Sequence, residues 1–152
     1  MGALAKVKTN PSSYVFKGGD ACHHGSEFRP SPYHPLPEFL TPAPSSSCGT
    51  NSPGSLFGPL LRGNGRNRPF YAIARRDDGT AIVYDVDEAE TKIEKVMEMD
   101  ASDEVLLVMA HDETLKDVVS FFPHYTNSFR ESGRAEKGRW FFLRDFMGAV
   151  KD

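Results

Sequence analysis

Apolar positions are spread unevenly along the chain, and their spacing predicts its elements. Val105 through Ala110 is an unbroken apolar run led in by Asp103 and Glu104. A run that short, rich in aliphatic and β-branched residues, predicts a strand buried on both faces. It delivers His111-Asp112 at its end, and in helix-covered sheets the residues leaving strand carboxyl ends reach the ligand crevice. Upstream, Val86, Ala89, Ile93, Val96 and Met97 recur at helical spacing, with Glu90, Lys92, Glu94 and Lys95 on the other side. This predicts a helix on the sheet face, capped by Asp85 with Glu88 as its capping-box partner. Asp100 to Asp103 ends the helix and leads into the strand, an α/β alternation.

The remaining patterns are shorter. Tyr14-Val15-Phe16 reads as a strand stopped by Gly18-Gly19, and residues 1–13 as a frayed lead-in. Phe70–Ala74 and Ala81–Tyr84 read as two strands of a hairpin turning at Asp78-Gly79. After Asp112, which suits the role of a cap, Leu115, Val118, Val119 and Phe122 share one face of a second short helix that Pro123 stops. Trp140, Phe141, Leu143 and Phe146 suit an amphipathic helix in the tail, and Arg134, Lys137, Arg139 and Arg144 a solvated face.

Residues 25–69 differ in material. Nine of the eleven prolines fall between Pro30 and Pro69, which denies the segment regular helix and ladder. Yet Phe28, Tyr33, Leu36, Phe39, Leu40, Leu56, Phe57, Leu60 and Leu61 are too many large apolar groups for a solvated linker. The segment reads as a long proline-rich excursion draped on the domain, over one end of the sheet, in the manner of a lid or binding loop.

At 152 residues the chain is one domain by length. A net charge of −3 gives no polyelectrolyte signature, so nucleic acid is not an expected partner. No apolar stretch approaches a membrane span, and Ala3-Leu4-Ala5 is far short of a signal-peptide core. The two cysteines, Cys22 and Cys48, are too few for a disulfide framework. The expectation is a soluble, cytoplasmic protein.

Histidines stand at positions 23, 24, 34, 111 and 124, without an H-x-H, H-E-x-x-H or C-x-x-C spacing. No G-x-S-x-G elbow or glycine-rich phosphate loop occurs. What remains are two strand-end groups, Asp20-Ala-Cys-His-His24 and His111-Asp112. Carboxylate and imidazole together form the ligand set of hydrolytic zinc sites, where an open position holds an activated water.

These residues resemble a family. A strand leading into Gly18-Gly19-Asp20, and a later one into Ala110-His111-Asp112, are similar to the second half of a metallo-β-lactamase-fold hydrolase. The likeness is to lactonase-type members, including fungal proteins with a G-G-D-x-x-H-H segment before a proline-rich loop, and it spans roughly residues 12 to 146. It implies an α/β fold, the C-terminal half of an αββα sandwich, forming one partial domain over residues 1–152 with 25–69 as its excursion. It also implies a centre of two zinc ions, with Asp20 as the bridging carboxylate and His111 as a ligand of the second ion. Family lactonases place a tyrosine against the substrate carbonyl three residues after the aspartate. His23 holds that position here, which implies carbonyl polarisation or proton transfer in altered form.

The departures from the pattern matter as much. The family hallmark H-x-H-x-D-H and a further histidine before the bridging aspartate do not occur in this sequence. Asp20 and His111 cannot hold a two-ion centre alone. The sequence reading is therefore a zinc-dependent hydrolase of a lactone or similar small ester with part of its metal site outside this chain. A half-fold would also expose apolar sheet surface, which predicts self-association. The rival from another class is a catalytically inactive relative that keeps the fold's second half as an interaction or vestigial protein.

Overall fold

The computed structural model describes residues 2–44, 51–63, 65–121 and 123–150. Its centre is a mixed three-stranded sheet of Ala3–Thr9 (β1), Ser12–Gly19 (β2) and Val105–Met109 (β5), in that order. β1 runs antiparallel to β2, and β2 runs parallel to β5. β3 (Phe39–Leu40) and β4 (Ser52–Pro53) form a separate two-residue pair within the proline-rich segment. α1 (Val86–Asp100) packs on β5, and the short α2 (Arg134–Gly138) also lies against it. Among the described residues no helix is long and apolar enough to cross a membrane.

β5 has the covering its composition predicts. Leu106 and Leu107 are both buried, and consecutive strand residues point to opposite faces. Leu107 and Met109 meet Val96 of α1 in a core that also takes in Cys22 and Phe28. Ile93, Met97 and Met99 pack against it from the same helix. The Asp85 carboxylate accepts from the Glu88 backbone N–H at 2.9 Å, as the capping spacing requires.

The lead-in is not frayed. Residues 3–9 form β1, joined to β2 through a tight turn at Asn10-Pro11. Its side chains are mostly exposed, so backbone pairing makes this strand and no hydrophobic alternation announces it. β2 in turn runs through both glycines instead of stopping before them.

The hairpin at 70–84 is reduced to its turn. Arg76 and Thr80 close it, with Gly79 at φ 83° and the Asp78 carboxylate accepting from the Thr80 N–H and hydroxyl, but only one bridge, Arg75 with Ala81, extends beyond. Tyr71, Ile82 and Tyr84 point into solvent. A lone two-stranded ribbon with nothing to pack against does not hold a ladder.

The proline-rich segment is packed, though against a different neighbour from the one expected. Leu36, Leu40 and Phe57 join Phe70, Trp140, Phe142 and Leu143 in a second core, with Leu56, Leu60 and Leu61 at its edge. The segment thus builds its core with the C-terminal residues, while Phe28 alone reaches the core beneath the sheet. Tyr33 and Phe39 are exposed, against the expectation that they pack. Ser45 to Ser47 and Cys48 lie outside the described residues.

The predicted helix after Asp112 is a single 3-10 turn, Glu113–Asp117, and Phe122, assigned to its apolar face, is outside the described residues. The tail is likewise not one helix: α2 ends at Gly138 and a 3-10 turn covers Phe141–Phe146. The changed period buries Trp140, Phe142 and Leu143 and leaves Phe141 half-exposed.

Arg139 corrects the reading of a solvated basic face, since it is only 4% exposed. The Asp100 carboxylate accepts from Arg29 Nε at 2.8 Å and Arg29 Nη2 at 2.5 Å, a bidentate pair. Arg29 Nη1 donates to the Arg139 carbonyl at 2.7 Å, and Arg139 Nη2 to the Asp100 carbonyl at 2.8 Å. This buried network ties the proline-rich segment, the end of α1 and the tail to one another.

Candidate metal centre

Two strands running side by side in the same direction end together. Gly19 pairs with Met109 at the last rung of the β2–β5 ladder, and the Ala110 N–H donates to the Gly19 carbonyl at 3.0 Å. The next residues out are therefore Asp20 on one strand and His111 on the other. Gly19 (φ 57°) turns the chain sharply at that point, a conformation glycine adopts without penalty.

His111 sits at φ 67°, the single non-glycine residue with positive φ among those described. That conformation costs about 1–3 kcal/mol and gathers at sites where geometry is imposed for function. Asp112 is occupied locally: its carboxylate accepts from the Thr114 N–H at 3.1 Å and hydroxyl at 2.5 Å, capping the turn that follows.

Asp20 Oδ1 lies 3.4 Å from His111 Nε2 and 3.6 Å from His23 Nε2. The two imidazoles stack with centroids 5.5 Å apart and planes 19° from parallel. One ligand atom from each of the three residues falls within 4.8 Å of the others. Zinc–ligand bonds of about 2.0–2.1 Å at tetrahedral angles place donors roughly 3.3 Å apart, close to the two Asp20–imidazole separations here. One carboxylate and two imidazoles also make up a donor set of open, catalytic sites, so the residues present fit such an ion.

His23, expected at the substrate, lies beside Asp20 and His111, where its Nε2 could also serve as a donor. Asp20 and His23 stand three apart on one turn, and their heads come together. Cys22 between them faces inward, and burial pushes its thiol up to about 12, with Glu27 adding and Arg29 opposing. It anchors the turn and offers no thiolate.

The other three histidines are elsewhere. His24 is half-buried against Phe142 and Phe146 and hydrogen-bonds Asp145. His34 Nε2 is 3.4 Å from Arg139 Nη1, and burial together with the Arg139 charge holds it below the ordinary histidine value. His124 is exposed on the loop beyond Pro123.

The three-residue cluster lies on open surface. Two recesses, of about 460 and 310 Å³, are lined around Val118, Arg134 and Phe141 and around Leu36, Leu61 and Arg66, and neither includes Asp20, His23 or His111.

Several known proteins match almost the whole of this chain. Over 150 residues the chain is 38% identical to Gamma-lactamase FDB1 of Fusarium pseudograminearum, a match covering 96% of this chain and 35% of that protein. Metallo-hydrolase mfmC of Annulohypoxylon moriforme is 38% identical over 148 residues, 97% of this chain and 37% of the relative. Cytochrome P450 monooxygenase mpaDE of Penicillium roqueforti is 34% identical over 153 residues, 99% of this chain but 15% of that much longer protein. The chain spans about a third of the length of the first two relatives. No family model and no solved structure matches it.

Proposed function

We propose, for a chain that belongs as a segment to the metallo-β-lactamase-like metallo-hydrolases, that it carries part of a zinc centre for hydrolysing a lactone or a similar cyclic carbonyl compound. The relative named γ-lactamase favours a small ring closed by an amide bond, and the family likeness of the sequence extends this to a lactone. The observation that carries the proposal is one carboxylate oxygen within 3.4 and 3.6 Å of two imidazole nitrogens at adjoining strand ends.

In this reading Asp20, His23 and His111 hold the ion. A zinc ion there would supply Lewis-acid polarisation of a carbonyl and an activated water. The chain's own residues contribute placement and charge. Asp20 brings the negative charge that favours a divalent cation and orients both imidazoles through Oδ1. The two rings stack with Nε2 atoms turned toward Asp20, and the left-handed backbone at His111 sets where that side chain leaves the strand end.

Three donors are too few for the two-ion centre that the family resemblance implies. The remaining ligands would come from sequence of the kind the relatives carry outside the matched third. The sheet would then be part of an αββα sandwich whose C-terminal half this chain supplies. Both outer strands, β1 and β5, have a free edge among the described residues, and free edges invite further pairing.

The same donor count, with the open setting of the cluster, favours a second reading, a relative that binds metal or partners without turnover. Elemental analysis and a lactone-hydrolysis assay of the purified chain separate the possibilities. The proposal expects less than one equivalent of weakly held zinc, and any turnover to vanish in Asp20→Asn. Two tightly held zinc ions per chain contradict the incomplete centre, and zinc binding without turnover supports the second reading.

A further inference from the structure

We propose that His24 is a positioning residue, fixing the turn that carries Asp20 and His23 to the C-terminal segment and thereby raising metal affinity without touching the ion. The inference rests on the metal reading above.

The turn is gripped through three kinds of contact. His24 Nε2 lies 3.0 Å from Asp145 Oδ2, a residue 121 positions away. A carboxylate can only accept, so Nε2 carries the hydrogen and Nδ1 is left with its lone pair. Nδ1 then accepts from the Ser26 hydroxyl at 2.5 Å and the Ser26 N–H at 3.3 Å. One neutral tautomer satisfies all three bonds. The ring meets Phe142 and Phe146 edge-on at 5.5 and 6.0 Å and stacks on Tyr71 at 6.1 Å. Finally, a Cβ placed on Gly25 would stand 2.6–2.7 Å from the Phe142 ring, so this close approach needs glycine.

Serine, histidine and carboxylate in contact are also the residue types of a nucleophilic triad. Ser26 is fully buried, however, and its backbone carbonyl is taken by the Tyr71 N–H at 3.0 Å. No substrate carbonyl reaches that hydroxyl, and the arrangement works as a clamp.

What the clamp holds is next to the donors. His24 follows His23 directly, and Cys22 is buried beneath the turn. The segment is therefore pinned at both ends of His23, one pin in the core under the sheet and one on the tail. A turn already ordered loses less conformational freedom on closing around an ion, which is gained as affinity. Residues outside the ligand set that orient ligands typically change metal affinity by about 10–100-fold.

Cobalt(II) is the probe, titrated into the full chain and followed by its visible absorption. His24→Phe keeps the aromatic packing and removes the polar link. Asp145→Ala removes the acceptor, and Asp145→Asn restores one through its amide oxygen. The expected result is cobalt binding weakened roughly tenfold in His24→Phe and Asp145→Ala, with altered band positions, and near wild-type behaviour in Asp145→Asn. Thermal melts give the folded fraction at the titration temperature. Equal affinities and spectra in all four proteins overturn the inference, as does a loss that only tracks the unfolded fraction. A wild-type chain that gives no cobalt spectrum overturns the metal reading and this inference with it.

Discussion

Asp100 shows how one buried carboxylate organises residues far apart in the chain. Burial alone would raise its carboxyl, but the Arg29 charge and hydrogen bonds, followed by the Arg139 charge, hold it below the ordinary aspartate value. A depressed value in the folded state means stability that is present above the unfolded value near 3.8 and is lost as pH falls through the lower folded value. Replacing it by asparagine leaves Arg29 and Arg139 buried without a counter-charge, at a cost of about 3–5 kcal/mol. Urea unfolding of wild type and Asp100→Asn should therefore differ most near neutral pH, the gap closing below about pH 4. A gap of the same size at pH 7 and pH 3 would contradict this assignment. Sequence reading missed the network because nothing in the pattern separates Arg139 from the half-buried Arg134 and the exposed Lys137 on the same segment.

Elements were legible where side-chain burial made them. α1 and β5 follow from apolar spacing, and the observed burial of Val96, Leu106 and Leu107 lies where that spacing puts it. The Asp85 cap belongs with them, and Asp85→Ala should cost about 1 kcal/mol, read as a lowered denaturation midpoint with unchanged slope. No change in midpoint would mean that the Glu88 N–H finds another partner. Elements held by backbone pairing or ended by a changed period were not legible. β1 exposes most of its side chains, and the tail switches from α to 3-10 geometry between Gly138 and Phe141. The hairpin at 70–84 failed for the opposite reason, having strand composition but no surface to lie on.

At the scale of the molecule, the parallel pairing of β2 with β5 makes the candidate centre. It brings two motifs 91 residues apart to one sheet edge, a closure whose cost grows only logarithmically with the intervening length. The proline-rich segment lies within that interval and spends its apolar residues on a core shared with the tail, as its composition suggested it must. Strand ends and a family likeness point to Asp20 and His111 in the sequence, and the structure brings the two side chains together. The sequence reading set His23 at the substrate, and the structure stacks its ring on that of His111 beside Asp20. The central claim is that Asp20, His23 and His111 act on one ion. Zinc titration followed by the imidazole nitrogen resonances of the labelled chain tests it most directly. The expected result is that the His23 and His111 Nε2 signals move together, those of His24, His34 and His124 stay in place, and Asp20→Asn abolishes the response. Zinc that moves His34 or His124 while leaving His23 and His111 unchanged would contradict the account.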